Sequence, residues 1–293
     1  MSNVSRIITA SGYIPVTGGR VWYEVSGGGT GRPLLLLHGG PGFTHWSFEP
    51  LRALDSDRPV IVYDQLGSGE SDRPDDPDLW TVDRFVEELE LVRSALDLSS
   101  VDILGHSWGT MLLASYLATQ PAGVNSAIFS SPCLKTELWS VDQRRHIAQL
   151  PDEFREPLQR RERGEEVDDA AYELAVDAFY RRHLCRLDPW PEPVQRDFEA
   201  ANLTVYETMW GPTEFEASGT LRDFDATPIL RDLDLPTLFT CGRYDEATPE
   251  STGYFAGCAR GSSLHVFENS GHMTYVEEPD EYLSVVRAFL DER

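Results

Sequence analysis

A serine between two glycines, Gly105-His106-Ser107-Trp108-Gly109, stands directly after the apolar run Val101-Asp102-Ile103-Leu104 and just before the helical pattern Met111 to Ala118. This order constrains the chain more than any other feature. A serine hydroxyl is a weak nucleophile at its free pKa, so it must be presented on a sharp turn where a base reaches its proton and a carbonyl reaches its oxygen. Gly105 and Gly109 lack a Cβ and let a strand bend hard into the next helix, the geometry of a Gly-x-Ser-x-Gly elbow. The spacing therefore predicts strand, turn and helix around Ser107.

The flanking sequence supplies the sheet such an elbow needs. Leu34 to Leu37 and Val60 to Tyr63 are continuous apolar runs, each ending in a Gly-containing loop, and Val82 to Leu96 has the apolar spacing of an amphipathic helix. Uninterrupted apolar strands alternating with helices indicate a parallel sheet covered on both faces. Ahead of them, Gly12 to Thr17 and Val21 to Ser26 alternate around Gly18-Gly19 and read as a hairpin. After a strand at Ser126 to Ser130 the pattern turns charged and helical, with Trp139, Trp190 and Trp210 interspersed, before strands resume at Pro236 to Thr240 and Ser263 to Phe267. An amphipathic helix from Asp280 to Leu290 closes the chain. The expectation is an α/β fold with a mostly parallel central sheet flanked by helices, built from residues 1–132 and 225–293, and an inserted helical cap over residues 133–224.

Charge narrows the partners. Lys+Arg of 25 against Asp+Glu of 49 leaves −24, a field that repels phosphate backbones and anionic lipid surfaces, which argues against nucleic-acid and membrane-surface roles. Lys135 is the one lysine and follows no glycine-rich loop, so a P-loop NTPase is excluded. The four cysteines, Cys133, Cys185, Cys241 and Cys258, form no Cys-x-x-Cys pair and signal neither a zinc site nor a disulfide framework. Met1 to Thr9 lacks the apolar core of a signal peptide, and no stretch approaches the roughly 18 apolar residues of a membrane span, so a cytoplasmic protein is expected.

A serine hydrolase needs an imidazole base and a carboxylate that holds the imidazole in the right tautomer. Downstream of an elbow serine these follow in the order acid, then histidine. Asp245 follows the strand ending at Thr240, in Gly242-Arg243-Tyr244-Asp245, and His272 follows the strand ending at Phe267, in Asn269-Ser270-Gly271-His272. Both stand at strand C-terminal ends, where an open α/β sheet gathers its reactive groups. His106 is expected to point away from the nucleophile, and His38, His45, His146, His183 and His265 have no paired acid at a strand end by position. The developing oxyanion needs donors. His38-Gly39-Gly40-Pro41-Gly42 after a buried strand offers the N–H of Gly39, with Gly40 as a further candidate, and Trp108 after the nucleophile offers the other.

Together with Asp64-Gln65-Leu66-Gly67-Ser68-Gly69-Glu70-Ser71 and Tyr244-Asp245-Glu246-Ala247-Thr248-Pro249, these segments make nearly the whole chain resemble the proline iminopeptidases, the α/β-hydrolase aminopeptidases of family S33. His-Gly-Gly-Pro-Gly is the most specific piece. The serine in the elbow sets the chain apart from epoxide hydrolases and haloalkane dehalogenases, whose nucleophile is Asp.

The resemblance implies an exopeptidase, and an exopeptidase must hold a free substrate amine with a carboxylate. In the subgroup similar to archaeal tricorn-interacting aminopeptidases, one glutamate follows the triad aspartate and another lies in a Gly-Pro-x-Glu-Phe segment. Here these are Glu246 and Glu214, with Glu207 a less specific neighbour. Among the cap aromatics, Trp210 and Phe215 are the candidates for an apolar wall against a small side chain or a pyrrolidine ring. The expected activity is release of an amino-terminal proline or other small apolar residue from a small peptide or amino-acid amide, with no metal or organic cofactor. The runner-up is an esterase, lactonase or biosynthetic acyl hydrolase on the same scaffold, since the cap decides among substrates. A third reading, a silent binding protein that keeps the pocket, is opposed by the intact set of Ser107, Asp245 and His272.

Overall fold

The computed structural model describes residues 8–291, so Met1 to Ile7 of the amino-terminal stretch read for a leader lie outside the described residues. The alternating segments pair as the antiparallel hairpin β1 (Ile8–Val16) and β2 (Gly19–Ser26), turned by Gly18 at a φ of 96° that only glycine adopts readily. The apolar runs become β3 (Leu34–Leu37), β4 (Val60–Tyr63), β5 (Val101–His106), β6 (Val124–Ser130), β7 (Thr237–Gly242) and β8 (Ser263–Phe267). They join in one eight-stranded sheet of order β1-β2-β4-β3-β5-β6-β7-β8, parallel from β4 through β8.

Helices α1 (Val82–Ala95) and α2 (Trp108–Ala118) lie in the first half. Between β6 and β7 run α3 (Thr136–Ala148), α4 (Asp152–Glu162), α5 (Asp169–His183), α6 (Glu192–Ala200), α7 (Leu203–Met209) and α8 (Thr227–Asp232). Then come α9 (Pro249–Cys258), α10 (Thr274–Glu277) and α11 (Pro279–Asp291). Two elements are not legible in the apolar pattern. The 3₁₀ segment Trp46–Ser56 carries Pro50 inside it, and α9 is the crossover that the parallel pair β7 and β8 requires, started by the Thr248 hydroxyl accepting from the Ser251 N–H.

Strand alternation sorts the core. Leu35, Leu37, Ile61, Tyr63 and Ile103 face one apolar layer, with Phe85, Leu89 and Leu112 of α1 and α2, while Leu34, Leu36, Val60, Val62 and Leu104 face another, with Phe48, Val286 and Leu290. Trp139, Val205, Tyr206, Met209 and Trp210 of the helical stretch belong to the first layer, and Ile147, Leu158, Ala175 and Phe179 form a small cluster of their own. The ends of that stretch are tied together. The Thr136 N–H donates to Phe224 O at 3.1 Å, the Ala226 N–H to Leu134 O at 2.9 Å, and Lys135 pairs with Asp225 at 3.0 Å. Among the described residues no helix is long and apolar enough to cross a membrane.

Candidate active site

Ser107 joins β5 to α2 at φ 55° and ψ −121°, a conformation that L residues rarely adopt and that is sustained at about 1–3 kcal/mol only where the surroundings enforce it. Backbone packing enforces it here. A Cβ on Gly105 would lie 2.2 Å from Gly109 O, and one on Gly109 would lie 2.2 Å from Leu37 O. The Ser107 N–H donates to Ser130 O at 3.1 Å, and Ser107 O accepts from the Thr110 N–H at 2.8 Å.

Asp245 and His272 come together from separate loops, after β7 and β8. His272 Nδ1 lies 2.7 Å from Asp245 Oδ1, and as the carboxylate only accepts, the proton sits on Nδ1 and Nε2 is left as the basic nitrogen. Asp245 is fully buried and also accepts from the N–H groups of Ala247 at 2.8 Å and Gly242 at 3.1 Å, which fix its carboxylate against the imidazole. The His272 N–H donates to His183 O at 2.8 Å, and Ser131 Oγ donates to His272 O at 2.9 Å. His146 Nε2 bonds Asp245 O at 3.0 Å and His183 Nδ1 bonds Tyr244 O at 2.8 Å, their rings 3.9 Å apart. Thus α3 and α5 hold both loops from the helical side. Burial, with His146 beside it, pushes His183 down to about 3.

Ser107 and His272 line one cavity of about 470 Å³, together with Gly39, Gly40, Glu214, Glu246 and Phe215. Asp245 stands behind His272, outside the lining. A Cβ on Gly39 would come within 3.2 Å of the Ser107 Cβ, so this backbone runs against Ser107. Trp108 opens α2, and its N–H has no acceptor within the helix. Adjoining it at Ser107 is a small cleft of about 10 Å³ lined by Trp108, Met111, Cys133, Trp139, Trp210 and Glu214. Trp210 therefore shares this cleft with Ser107 and does not line the larger cavity, where Phe215 packs edge-on to Phe179 at 4.7 Å. Trp190 lines neither, its indole N–H donating to Cys185 O at 3.0 Å. Glu207 is exposed at the cavity wall.

Glu246 is completely buried, and among the described residues neither carboxylate oxygen has a hydrogen-bond partner. Burial first, then the charges of Glu214 and Asp245, push its carboxyl well above the usual carboxylate range. Glu214 is also raised by burial, while its hydrogen bond from the Tyr206 hydroxyl and the nearby His272 pull it back. Two carboxyl groups thus share one wall that no Lys or Arg among the described residues lines, an arrangement that a bound ammonium would relieve.

Residues 32–279 match the alpha/beta hydrolase fold family. A proline iminopeptidase of Heyndrickxia coagulans is 49% identical over 96% of this chain and 98% of its own length. The chain belongs to the proline iminopeptidase family. Among solved structures, a proline iminopeptidase of Mycobacterium smegmatis superposes with a TM-score of 0.91 at 36% identity, covering 97% of this chain and 98% of that one. The crystal structure of VinJ superposes with a TM-score of 0.92 at 35% identity, covering 97% and 99%.

Against this family frame two expectations about histidines need correction. The His106 ring does not turn away: it lines the cavity 4.7 Å from the His272 ring, and burial, then the charge of His272, hold it well below the ordinary histidine range. His45 does have an acid at a strand end. Its Nδ1 lies 2.8 Å from Asp64 Oδ1, just past β4, because the 3₁₀ segment folds back over the sheet. Three supports escaped the sequence reading. Tyr206 grips Glu214, Trp139 sets its ring edge-on to His272 at 5.8 Å, and the His146–His183 pair braces the Asp245 and His272 loops. Helical spacing places none of them at the site, since each arrives by tertiary packing.

Proposed function

We propose that this protein is a serine aminopeptidase releasing an amino-terminal proline, or another small apolar residue, from small peptides or amino-acid amides. The observation that carries the reading is the buried Glu246 carboxyl without a partner, beside Glu214 and across one cavity from Ser107 and His272. Ser107 Oγ attacks the scissile carbonyl while His272 Nε2 takes its proton, and Asp245 holds the imidazole and stabilises its charged form. The N–H groups of Gly39 and Trp108, with Gly40 next in line, receive the oxyanion. His272 then protonates the leaving amine, and water hydrolyses the acyl-enzyme by the same route in reverse. Glu246 and Glu214 pair with the substrate ammonium, Phe215 in the larger cavity walls the residue being released, and Trp210 bounds the adjoining cleft at Ser107. Residues 133–224 act as the cap that shapes this pocket, in a cytoplasmic enzyme.

The test compares chromogenic amides of proline, of other amino acids, and of N-acetylproline, with acyl esters alongside. Turnover of free prolyl amide with little turnover of its acetylated form is expected. Equal turnover of both would remove amine recognition, and faster cleavage of simple acyl esters than of any aminoacyl amide would favour an esterase. Ser107→Ala is expected to lower kcat by a factor on the order of 10⁴ or more, and parental activity in it would exclude Ser107 as the nucleophile.

A further inference from the structure

Gln65, just past the end of β4, sits in a motif that the mechanism above leaves without a task. We propose that Gln65 is the positioning residue of the oxyanion hole, its side-chain amide tying together the two backbone segments whose N–H groups receive the developing charge. The inference rests on the reading of Gly39 and Trp108 as oxyanion donors.

Gln65 is 1% exposed, as is His38, and both ends of its amide are engaged. Its Nε2 donates to His38 O at 3.2 Å, and its Oε1 accepts from the Trp108 indole N–H at 2.8 Å. An indole nitrogen only donates and a carbonyl only accepts, so these partners fix which end of the amide is which. In a trans peptide the C=O and N–H point in opposite directions. Holding the His38 carbonyl on the Gln65 side therefore aims the Gly39 N–H away from it, on the backbone that lies against Ser107. The next peptide plane is held as well. The Gln65 backbone N–H donates to His38 Nε2 at 3.0 Å, so the His38 proton is on Nδ1, which donates to Gly39 O at 2.9 Å and fixes the Gly39–Gly40 unit. At the other end, the indole bond anchors the residue that opens α2. The bridge crosses three adjacent strands: Gln65 follows β4, His38 follows β3 between its neighbours, and Trp108 follows β5 and the elbow. A residue needed only to fill this volume would use neither the donor nor the acceptor.

Gln65→Met keeps the volume and deletes both side-chain bonds. Two rates are followed: labelling of Ser107 by a fluorophosphonate, whose adduct places an oxygen in the hole, and kcat for prolyl p-nitroanilide. Both are expected to fall by about 10- to 100-fold, approaching the loss of one oxyanion donor, while KM and the inhibition constant of free proline move less than about twofold. Trp108→Phe removes the indole N–H together with one ring of the side chain and is expected to slow labelling by about threefold or more; unchanged labelling in it overturns the proposal if Gln65→Met does not fold by circular dichroism. Unchanged labelling in a folded variant overturns the proposal, as does a loss of proline affinity that parallels the loss of kcat. A parent that labels but hydrolyses no prolyl amide sinks the aminopeptidase reading and leaves the labelling comparison intact. A parent that does not label at all removes the oxyanion assignment and this proposal with it.

Discussion

Glu246→Gln separates charge pairing from shape at the centre of the site. Glu246 is wholly buried with both oxygens unpartnered, so the substitution removes a charge and breaks no hydrogen bond of those oxygens. Deleting one member of a buried ion pair is worth about 3–5 kcal/mol. Glu214 remains to hold part of the ammonium's charge, so the lower end applies, and about 3 kcal/mol corresponds to roughly a 10²-fold fall in kcat/KM. The expected result is that loss on free prolyl p-nitroanilide, with less than about a threefold change on any acetylated substrate turned over. The free enzyme should respond in the opposite sense. A carboxyl raised above its unfolded value contributes stability fully below the unfolded pKa near 4.5, and that contribution is lost as pH rises toward the folded value. Glutamine stays neutral, so the variant's advantage in Tm should grow from near zero at pH 4 to a plateau in alkaline buffer. Equal losses on free and blocked substrates, or a Tm difference that does not change with pH, would refute the reasoning.

His183, pushed down to about 3, stabilises fully above its unfolded value of 6.5 and loses that contribution as pH falls toward 3. Urea melts should show about 2 kcal/mol less from this group at pH 5 than at pH 7, and a shallower pH slope in His183→Gln; an unchanged slope would contradict the assignment. Gly109→Ala places a Cβ 2.2 Å from Leu37 O, so a loss of at least about 3 kcal/mol in chemical denaturation is expected, and a variant as stable as the parent would show that the elbow yields. Tyr206→Phe removes the hydroxyl bonded to Glu214, so KM for prolyl amides should rise severalfold with kcat nearly constant in steady-state kinetics. A fall in kcat alone would place Tyr206 in the chemical step.

Local chemistry made the strands legible. Leu34–Leu37 and Val60–Tyr63 are found at their expected bounds, because a short apolar run between glycine loops has few alternatives to a buried strand, and Ser263–Phe267 is found at its own as the partly exposed strand at the end of the sheet. The elbow was legible for a similar reason: a Cβ at Gly105 or Gly109 would meet backbone, so the requirement is written into residue type. The order of serine, acid and histidine along these strands carried the candidate triad, since a parallel sheet brings strand ends to one edge whatever separates them in sequence.

What residue order could not carry is partnership across the fold. The helical stretch is charged throughout, so nothing local distinguishes Tyr206, which holds Glu214, from its neighbour Glu207, which is exposed. The same holds for His146 and His183 against the Asp245 and His272 loops, for His45 with Asp64, and for Gln65 between His38 and Trp108. Periodicity and turn chemistry act over a few residues, and they determined the sheet, the elbow and the class of reaction. Hydrogen bonds between residues 8 to 99 positions apart, as in these pairs, exist only once burial has set their segments side by side, and the tertiary structure alone decided them.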